Sequence, residues 1–301
     1  MSRLQANFLL LIAALIWGTT FVAQQVVLDN LGPFLYTGLR FLLGALIIVP
    51  MALREYVRLA DRGVRLDGGD WLAGLGLGGL LFAGIILQQI GIGETTVTNA
   101  GFLTALYVPL VPLLAWLLHR HRPHWLTWPA VSCSLFGTWL LAGGELNELS
   151  SGDWWVIAST FFWGLHVLYV GRVAARKGTP ILVALTQFVV CGSLALIWGL
   201  LTEPLSSERL LAALPAILYG GVLSVGVGFT LQVVAQRHTG AADAAVLLSS
   251  ETLFAGLAGA LVLGERLAPL QLAGCALIFT SILAVQLLPL WLDKRAAATS
   301  H

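Results

Sequence analysis

Charge is what this sequence has least of. Only 10% of its 301 residues are Asp, Glu, Lys or Arg, whereas a soluble domain carries about 25%. That deficit excludes a surface solvated by water on all sides, and with 58% hydrophobic residues lipid becomes the main solvent. A net charge of +1 offers no field that would draw nucleic acid. Cysteine is scarce as well: Cys133, Cys191 and Cys275 each fall inside an apolar run, unlike the exposed, multiple cysteines of a disulfide framework. No second cysteine or histidine stands at zinc-ligand spacing from them. A His-Glu-x-x-His motif, paired intramembrane aspartates and a Ser-His pair on one cavity are also missing, which argues against an intramembrane enzyme.

What is abundant is apolar sequence in lengths of about 20 residues, the span of a bilayer helix. Ten such segments are expected, near 6–28, 33–53, 71–92, 96–118, 124–143, 153–172, 180–201, 211–235, 241–264 and 269–289. The first follows Arg3 and runs past Trp17 to Leu28 without a small-residue cleavage site, so it reads as a retained helix and not a signal peptide. Short alternating segments of the kind that build a membrane β-barrel are not visible. The fold class is therefore an all-α membrane protein of ten transmembrane helices.

Loop charge orients them. With the N-terminus in the cytoplasm, the inner loops hold thirteen of the lysines and arginines and the outer loops only Arg209 and Arg266, with Arg40 left inside a span. The positive-inside rule then places both termini in the cytoplasm of a multi-pass protein of the cell inner (plasma) membrane. Residues 290–301 form a cytoplasmic tail.

The two halves repeat each other. Leu15-Ile16-Trp17-Gly18 returns as Phe161-Phe162-Trp163-Gly164. Arg40 lies seven residues after Pro33, and Gln187 seven after Pro180. Gly84 and Gln88 correspond to Gly228 and Gln232, four apart in both. Five helices per half is an odd number, so the second half, 152–289, enters the membrane from the opposite face to the first, 6–144. Inverted repeats of this kind build many secondary transporters, with the binding site near the midplane between the halves.

The residues that end the second repeat are Ser249-Ser250-Glu251-Thr252-Leu253-Phe254, then Leu263-Gly264-Glu265-Arg266-Leu267 and Gly274. With Trp17-Gly18, Arg40, and Val108-Pro109 with Pro112, they resemble the EamA family of the drug/metabolite transporter superfamily, from about Leu9 to Leu288. The resemblance implies two inverted five-helix EamA repeats and movement of amino acids, metabolites or drugs, with bacterial members exporting aromatic and other neutral amino acids. It implies no metal, organic cofactor or ATP-driven engine. Two departures stand out. Thr252 occupies a place that is often proline in the family, which puts a kink of the ninth helix in doubt. The first repeat has His119-Arg120-His121-Arg122 where a Gly-Glu pair would stand.

Eight residues are candidates for the substrate site. Glu251 lies about eleven residues into the ninth span, where a carboxylate is costly and usually functional; it could bind an ammonium group, carry a proton or serve as a structural partner of Arg40. Arg40 could grip a carboxylate with two parallel bonds or snorkel to the outer interface. Trp17 and Trp163 are repeat mates that could face each other as aromatic walls. Tyr107 is the mate of Glu251. His166, one turn from Trp163, could sense pH. Gln88 and Gln232, like Gln89 and Asn99, could bond a zwitterion or hold helices together.

Glycines 74, 76, 78, 79 and 84 of the third span and 220, 221, 226 and 228 of the eighth suggest close-packed, mobile helices. His119, His121 and His124 sit among arginines and read as a charged anchor, not a metal cluster. Glu145, Glu148 and Asp153 mark the junction of the halves. The function expected is alternating-access transport of small metabolites, most simply export of aromatic or other neutral amino acids. Efflux of cationic drugs and uncoupled facilitation are the alternatives. The partners are a small-molecule substrate and the lipid bilayer, with protons as coupling ion and assembly as a homodimer left open.

Overall fold

The computed structural model describes residues 1–95, 97–120, 125, 127–141, 144, 149–262 and 268–299, without the side chains of 98, 141, 258–262 and 285–299. His121, His124, Glu145, Glu148, the Leu263–Leu267 motif and the tail's Lys294 and Arg295 side chains lie outside that description.

Every element among the described residues is helical, the form in which a backbone satisfies itself in lipid. The first half holds α1 (Arg3–Val26), α2 (Pro33–Asp61), α3 (Gly68–Glu94), α4 (Val97–Thr104), α5 (Tyr107–His119) and α6 (Thr127–Leu141). The second holds α7 (Ser151–Arg176), α8 (Pro180–Thr202), α9 (Ser207–Leu218), a π-helical segment (Tyr219–Phe229), α10 (Thr230–Gln236), α11 (Ala241–Leu248), α12 (Ser250–Val262) and α13 (Pro269–Thr299). Among the described residues, seven helical stretches are long and apolar enough to cross a membrane.

Local chemistry sets the helix starts. Ser2 with Gln5, Asp67 with Asp70, and Ser150 with Asp153 form capping boxes on α1, α3 and α7, each satisfying N–H groups that a helix start leaves without partners. Pro33 and Pro180 occupy the first turn of α2 and α8, where no N–H is needed. These two helices also cap each other. Glu203, just past the end of α8, accepts from Phe34 N and Leu35 N at 2.9 and 2.7 Å. Glu55, near the end of α2, accepts from Leu182 N at 2.8 Å. The two helices therefore run antiparallel.

Two expected spans are interrupted. The span expected over 96–118 divides into α4 and α5 at Ala105 and Leu106. Pro109 has no N–H for the Ala105 carbonyl, which accepts from Val108 N instead, at 3.0 Å. The span expected over 241–264 divides into α11 and α12 at Ser249. The helix break survives the replacement of proline by Thr252. Ser249, Ser250 and Thr252 turn their hydroxyls back onto the carbonyls of Val246, Leu247 and Ser249 at 2.6–2.8 Å, a habit that bends helices. Ser249 Oγ also meets Ser134 Oγ of α6 at 2.6 Å.

Packing follows a crosswise plan. α2 lies along α8, and α6 along α13; α3 packs on α7, while α1 packs on the π-helical segment and α10. Glycine makes the close approaches possible. A Cβ on Gly78 would meet Val190 and Gln187 of α8, and one on Gly91 would meet Gly152 and Val156 of α7.

Polar bonds between loops sort the helix ends onto two faces. On one, Arg3 pairs with Asp243 at 2.7 Å, and Lys177 pairs with Asp70 and Asp67 at 2.7 and 2.9 Å; this basic end also carries Arg62, Arg65 and Arg237. On the other, Thr95 donates to Asp153 at 2.5 Å and Ser151 to Glu94 at 2.8 Å, with Glu203 at the start of α2.

Candidate functional site

The interrupted helices and the π-helical segment meet in the interior. There residues of both halves line a constricted cavity of about 40 Å3, well under the 300–1,000 Å3 or so of an open small-ligand site. Trp17 of α1, Arg40 of α2, Gln88 of α3, Tyr107 of α5, Trp163 of α7, Gln232 of α10 and Glu251 of α12 all line it. Tyr107 and Glu251 both stand in the first turn after a helix break, as the first residue of α5 and the second of α12.

Glu251 is 6% exposed and Arg40 1%. No ion pair joins them among the described residues, so neither serves as the other's structural partner. Arg40 does not snorkel. Its guanidinium carbon lies 4.8 Å from the Tyr36 ring and 5.4 Å from that of Phe41, and its Nε and Nη2 have no hydrogen-bond partner among the described residues. A Cβ on Gly220 would reach Tyr36 Oη and Arg40 Cδ, so the glycine of the π-helical segment makes room for this buried cation. A buried charge with no counter-ion among the described residues is expensive, and a ligand carboxylate would relieve it.

The tryptophans do not face each other directly. Phe229 lies between them, 4.5 Å from Trp17 and stacked at 6.1 Å on Trp163. Each indole rests on the glycine of its own repeat's counterpart: a Cβ on Gly228 would stand 2.8 Å from Trp17 Nε1, and one on Gly84 3.3 Å from Trp163 Cδ2. Trp17 Nε1 donates to Ser224 O at 3.2 Å, within the π-helical segment, a kind of irregular turn frequent at functional sites.

Gln88 Nε2 donates to Thr104 Oγ1 at 2.9 Å, and Gln89 Nε2 to Gln24 O at 2.9 Å. Gln89 thereby ties α3 to α1. The Gln232 side-chain oxygen has no hydrogen-bond partner among the described residues and stays available to a ligand. His166 stands just behind the lining, edge-on to the Trp163 ring at 6.0 Å. It is absent from the lining, fully buried, and bonded through Nε2 to Gln187 Oε1 at 2.8 Å.

Thr20, Phe21, Gln24, Thr104, Ser224 and Phe229 line the cavity too and were not singled out from sequence. Thr20, Phe21 and Gln24 stand three, four and seven residues after Trp17, the spacing of one helix face, so a signal for them existed. One acid, one base and aromatic walls are groups that can hold a small zwitterion by both ends, in a cavity that must widen to admit one. Among the described residues no group of His, Cys, Asp and Glu could hold a metal ion.

Comparison with known proteins agrees with this architecture. The EamA-like transporter family matches the chain twice, over 4–143 and 150–287. An uncharacterized transporter of Archaeoglobus fulgidus is 30% identical over 95% of this chain and 87% of its own length. The uncharacterized inner membrane transporter YicL of Salmonella typhimurium is 26% identical over 92% and 93%. A solved crystal structure superposes with a TM-score of 0.78 at 21% identity, covering 95% of this chain and 99% of the other.

Proposed function

The chain belongs to the EamA-like transporter family, and on that premise we propose that it moves neutral amino acids, aromatic ones above all, across the cell inner membrane by alternating access. The observation that carries the reading is the pair of opposite charges, Arg40 and Glu251, lining one cavity without meeting. Arg40 takes the carboxylate, with Tyr36 and Phe41 stacked about its guanidinium. Glu251 takes the ammonium group, helped by the Gln232 carbonyl oxygen. Trp17, Phe229 and Trp163 receive the side chain. Tyr107 closes the site beside Glu251.

We read the fold as ten spans in two inverted halves. The mutual capping of α2 and α8, the breaks at Ala105–Leu106 and Ser249, and the crossed Trp–Gly contacts support this, because each occurs twice with the halves exchanged. Inversion lets a modest rocking turn one facing into the other. The basic end, holding Arg3, Lys177 and Arg237, is assigned to the cytoplasm by the positive-inside rule, which puts both termini there.

Counterflow of radiolabelled L-phenylalanine and other amino acids in proteoliposomes, with and without a proton gradient, tests the reading. Exchange is expected, and a response to the gradient would mark protons as coupled; gradient-independent flux would mark a facilitator. Failure of every amino acid, with uptake of a cationic aromatic compound, would replace the cargo by an organic cation held on Glu251 and the indoles.

A further inference from the structure

The central cavity does not respect the repeat. Thr20 and His166 are mates, each three residues after its tryptophan, and Arg40 and Gln187 are mates, each seven after its proline. In the first half Thr20 and Arg40 both open onto the cavity. In the second half their mates are joined to each other, His166 Nε2 to Gln187 Oε1 at 2.8 Å, and both are fully buried.

That second pair is only half satisfied. His166 Nδ1 and Gln187 Nε2 are buried with no hydrogen-bond partner among the described residues. Buried polar atoms are nearly always bonded, so two orphans in one pair need a cause. A second, adjacent seal stands beside them. Gln236 Nε2 donates to Val167 O at 2.9 Å, and a Cβ on Gly171 would collide with the Gln236 backbone. Val167 lines the central cavity and also a separate cavity that reaches Arg237 at the basic end. Val167, next to His166, is thus shared by the linings of the two spaces.

We propose that His166 and Gln187 are substrate-contacting residues of the opposite-facing state, held shut here as a polar latch. When the halves exchange roles, the latch parts and α7 and α8 take the places that α1 and α2 hold now. The imidazole and the amide then offer their freed N–H groups to the cargo's carboxylate from the basic end, while Arg40 and Thr20 close on each other. The orphaned atoms are those the cargo or water would satisfy in that state. A neutral amide and an imidazole grip a carboxylate less firmly than a guanidinium, so cargo binds more weakly from the basic end than from the opposite one. The latch itself rests on the inverted-repeat reading alone, and the grip on a carboxylate rests also on the amino-acid reading.

Thiol accessibility tests it. In a chain with Cys133, Cys191 and Cys275 replaced by alanine, His166→Cys and Gln187→Cys are introduced singly and exposed to a membrane-impermeant maleimide from each face of the vesicle. Arg62→Cys and Ser206→Cys mark the basic and the opposite face. Labelling of both latch positions from the Arg62 face, at least tenfold faster than from the Ser206 face, is expected. Labelling only from the Ser206 face, or from neither, overturns the proposal. This readout needs no cargo, so it stands even if no amino acid is transported. Where L-phenylalanine is exchanged, His166→Gln is expected to raise its half-saturating concentration about fivefold from the basic face and less than twofold from the other. The unshifted face shows the variant folded, and equal shifts on both faces would refute the latch.

Discussion

Arg40 and Glu251 line one cavity from opposite halves of the chain, and neither is paired with the other. A cation and an anion held apart in a low-dielectric interior attract a ligand of matching polarity more strongly than they would in water. On the function proposed above, their separation is a recognition feature as much as a cost. Glu251→Gln keeps the shape and the hydrogen-bonding atoms but loses the charge that balances an ammonium group. L-Phenylalanine counterflow is expected to fall at least tenfold in Glu251→Gln and further in Glu251→Ala, with the protein still monodisperse in detergent. Unchanged flux in both variants would remove Glu251 from the site.

Arg40→Lys keeps the positive charge and discards the planar fork. A lysine ammonium cannot make the two parallel bonds that a carboxylate accepts from guanidinium, nor stack as a plane against Tyr36 and Phe41. The half-saturating concentration is expected to rise about tenfold, which corresponds to about 1.4 kcal/mol, with a smaller change in maximal rate. A fall in maximal rate alone would instead mark Arg40 as part of the moving framework.

The parts of this site that were legible in the sequence were those that the repeat marks. Trp17 and Trp163, Gln88 and Gln232, and Tyr107 and Glu251 are pairs that a one-dimensional comparison finds, and all six line the cavity. The repeat gives no sign of which half is open. His166 stands beside Trp163, but it is bonded to Gln187 while its mate Thr20 takes the lining position. Ser224 contributes a backbone carbonyl to Trp17 that depends on a π-helical turn, and residue types alone do not announce such a turn. The break at Ser249 was doubted because Thr252 is not proline; three hydroxyls folding back on the chain produce it by another route.

The two glycines under the tryptophans are not equivalent. Alanine improves a helix by about 1 kcal/mol over glycine where there is room for it. At Gly84 the nearest atom to a new Cβ would be 3.3 Å away, in the Trp163 ring, which a slight tilt relieves. At Gly228 it would be Trp17 Nε1 at 2.8 Å, so the indole must shift and its bond to Ser224 O is strained or lost. Gly84→Ala is expected to leave thermal stability within about 1 kcal/mol of the parent, whereas Gly228→Ala costs about 1–3 kcal/mol by overpacking and lowers counterflow. Differential scanning fluorimetry in detergent and the flux assay would check both.

Lys177 ties the loop after α7 to the start of α3. Hydrogen bonds to Asp70 and Asp67 raise its pKa above the usual 10.5, and its bond to Asp67 draws that carboxyl below the usual 3.8. The Asp67 contribution is present above its unfolded value and is lost as pH falls through the lower folded one. The Lys177 contribution is present below 10.5 and is lost as pH rises through its higher folded value. Lys177→Gln should therefore lower the melting temperature by the same small amount at pH 5 and pH 9, since both groups keep their charge across that range. Salt should shrink the difference, because these charges are open to solvent. A gap that opened or closed between those two pH values would show that another group controls the cluster.

Thr252→Pro asks whether the break in the ninth span needs these particular hydroxyls or only the bend. Thr252 stands in the first turn of α12, where proline is tolerated because the N–H has no full helical partner. Its N–H reaches only the Ser249 carbonyl, at 3.2 Å, and its hydroxyl returns to the same carbonyl at 2.8 Å. Proline would give up both bonds and fix the backbone angle that they favour, so the break should persist and Glu251 should keep its aim into the cavity. Counterflow within about twofold of the parent is expected for Thr252→Pro. For Ser249→Ala with Thr252→Ala the bend loses two of its three hydroxyls and the Ser134 contact, α11 and α12 can straighten into one helix, and flux should fall well below the proline variant. If the double alanine variant transports as well as the proline variant, the hydroxyls are dispensable, and the packing of Gly18 against the Glu251 carbonyl, Phe254 and Ala255 must set the break instead.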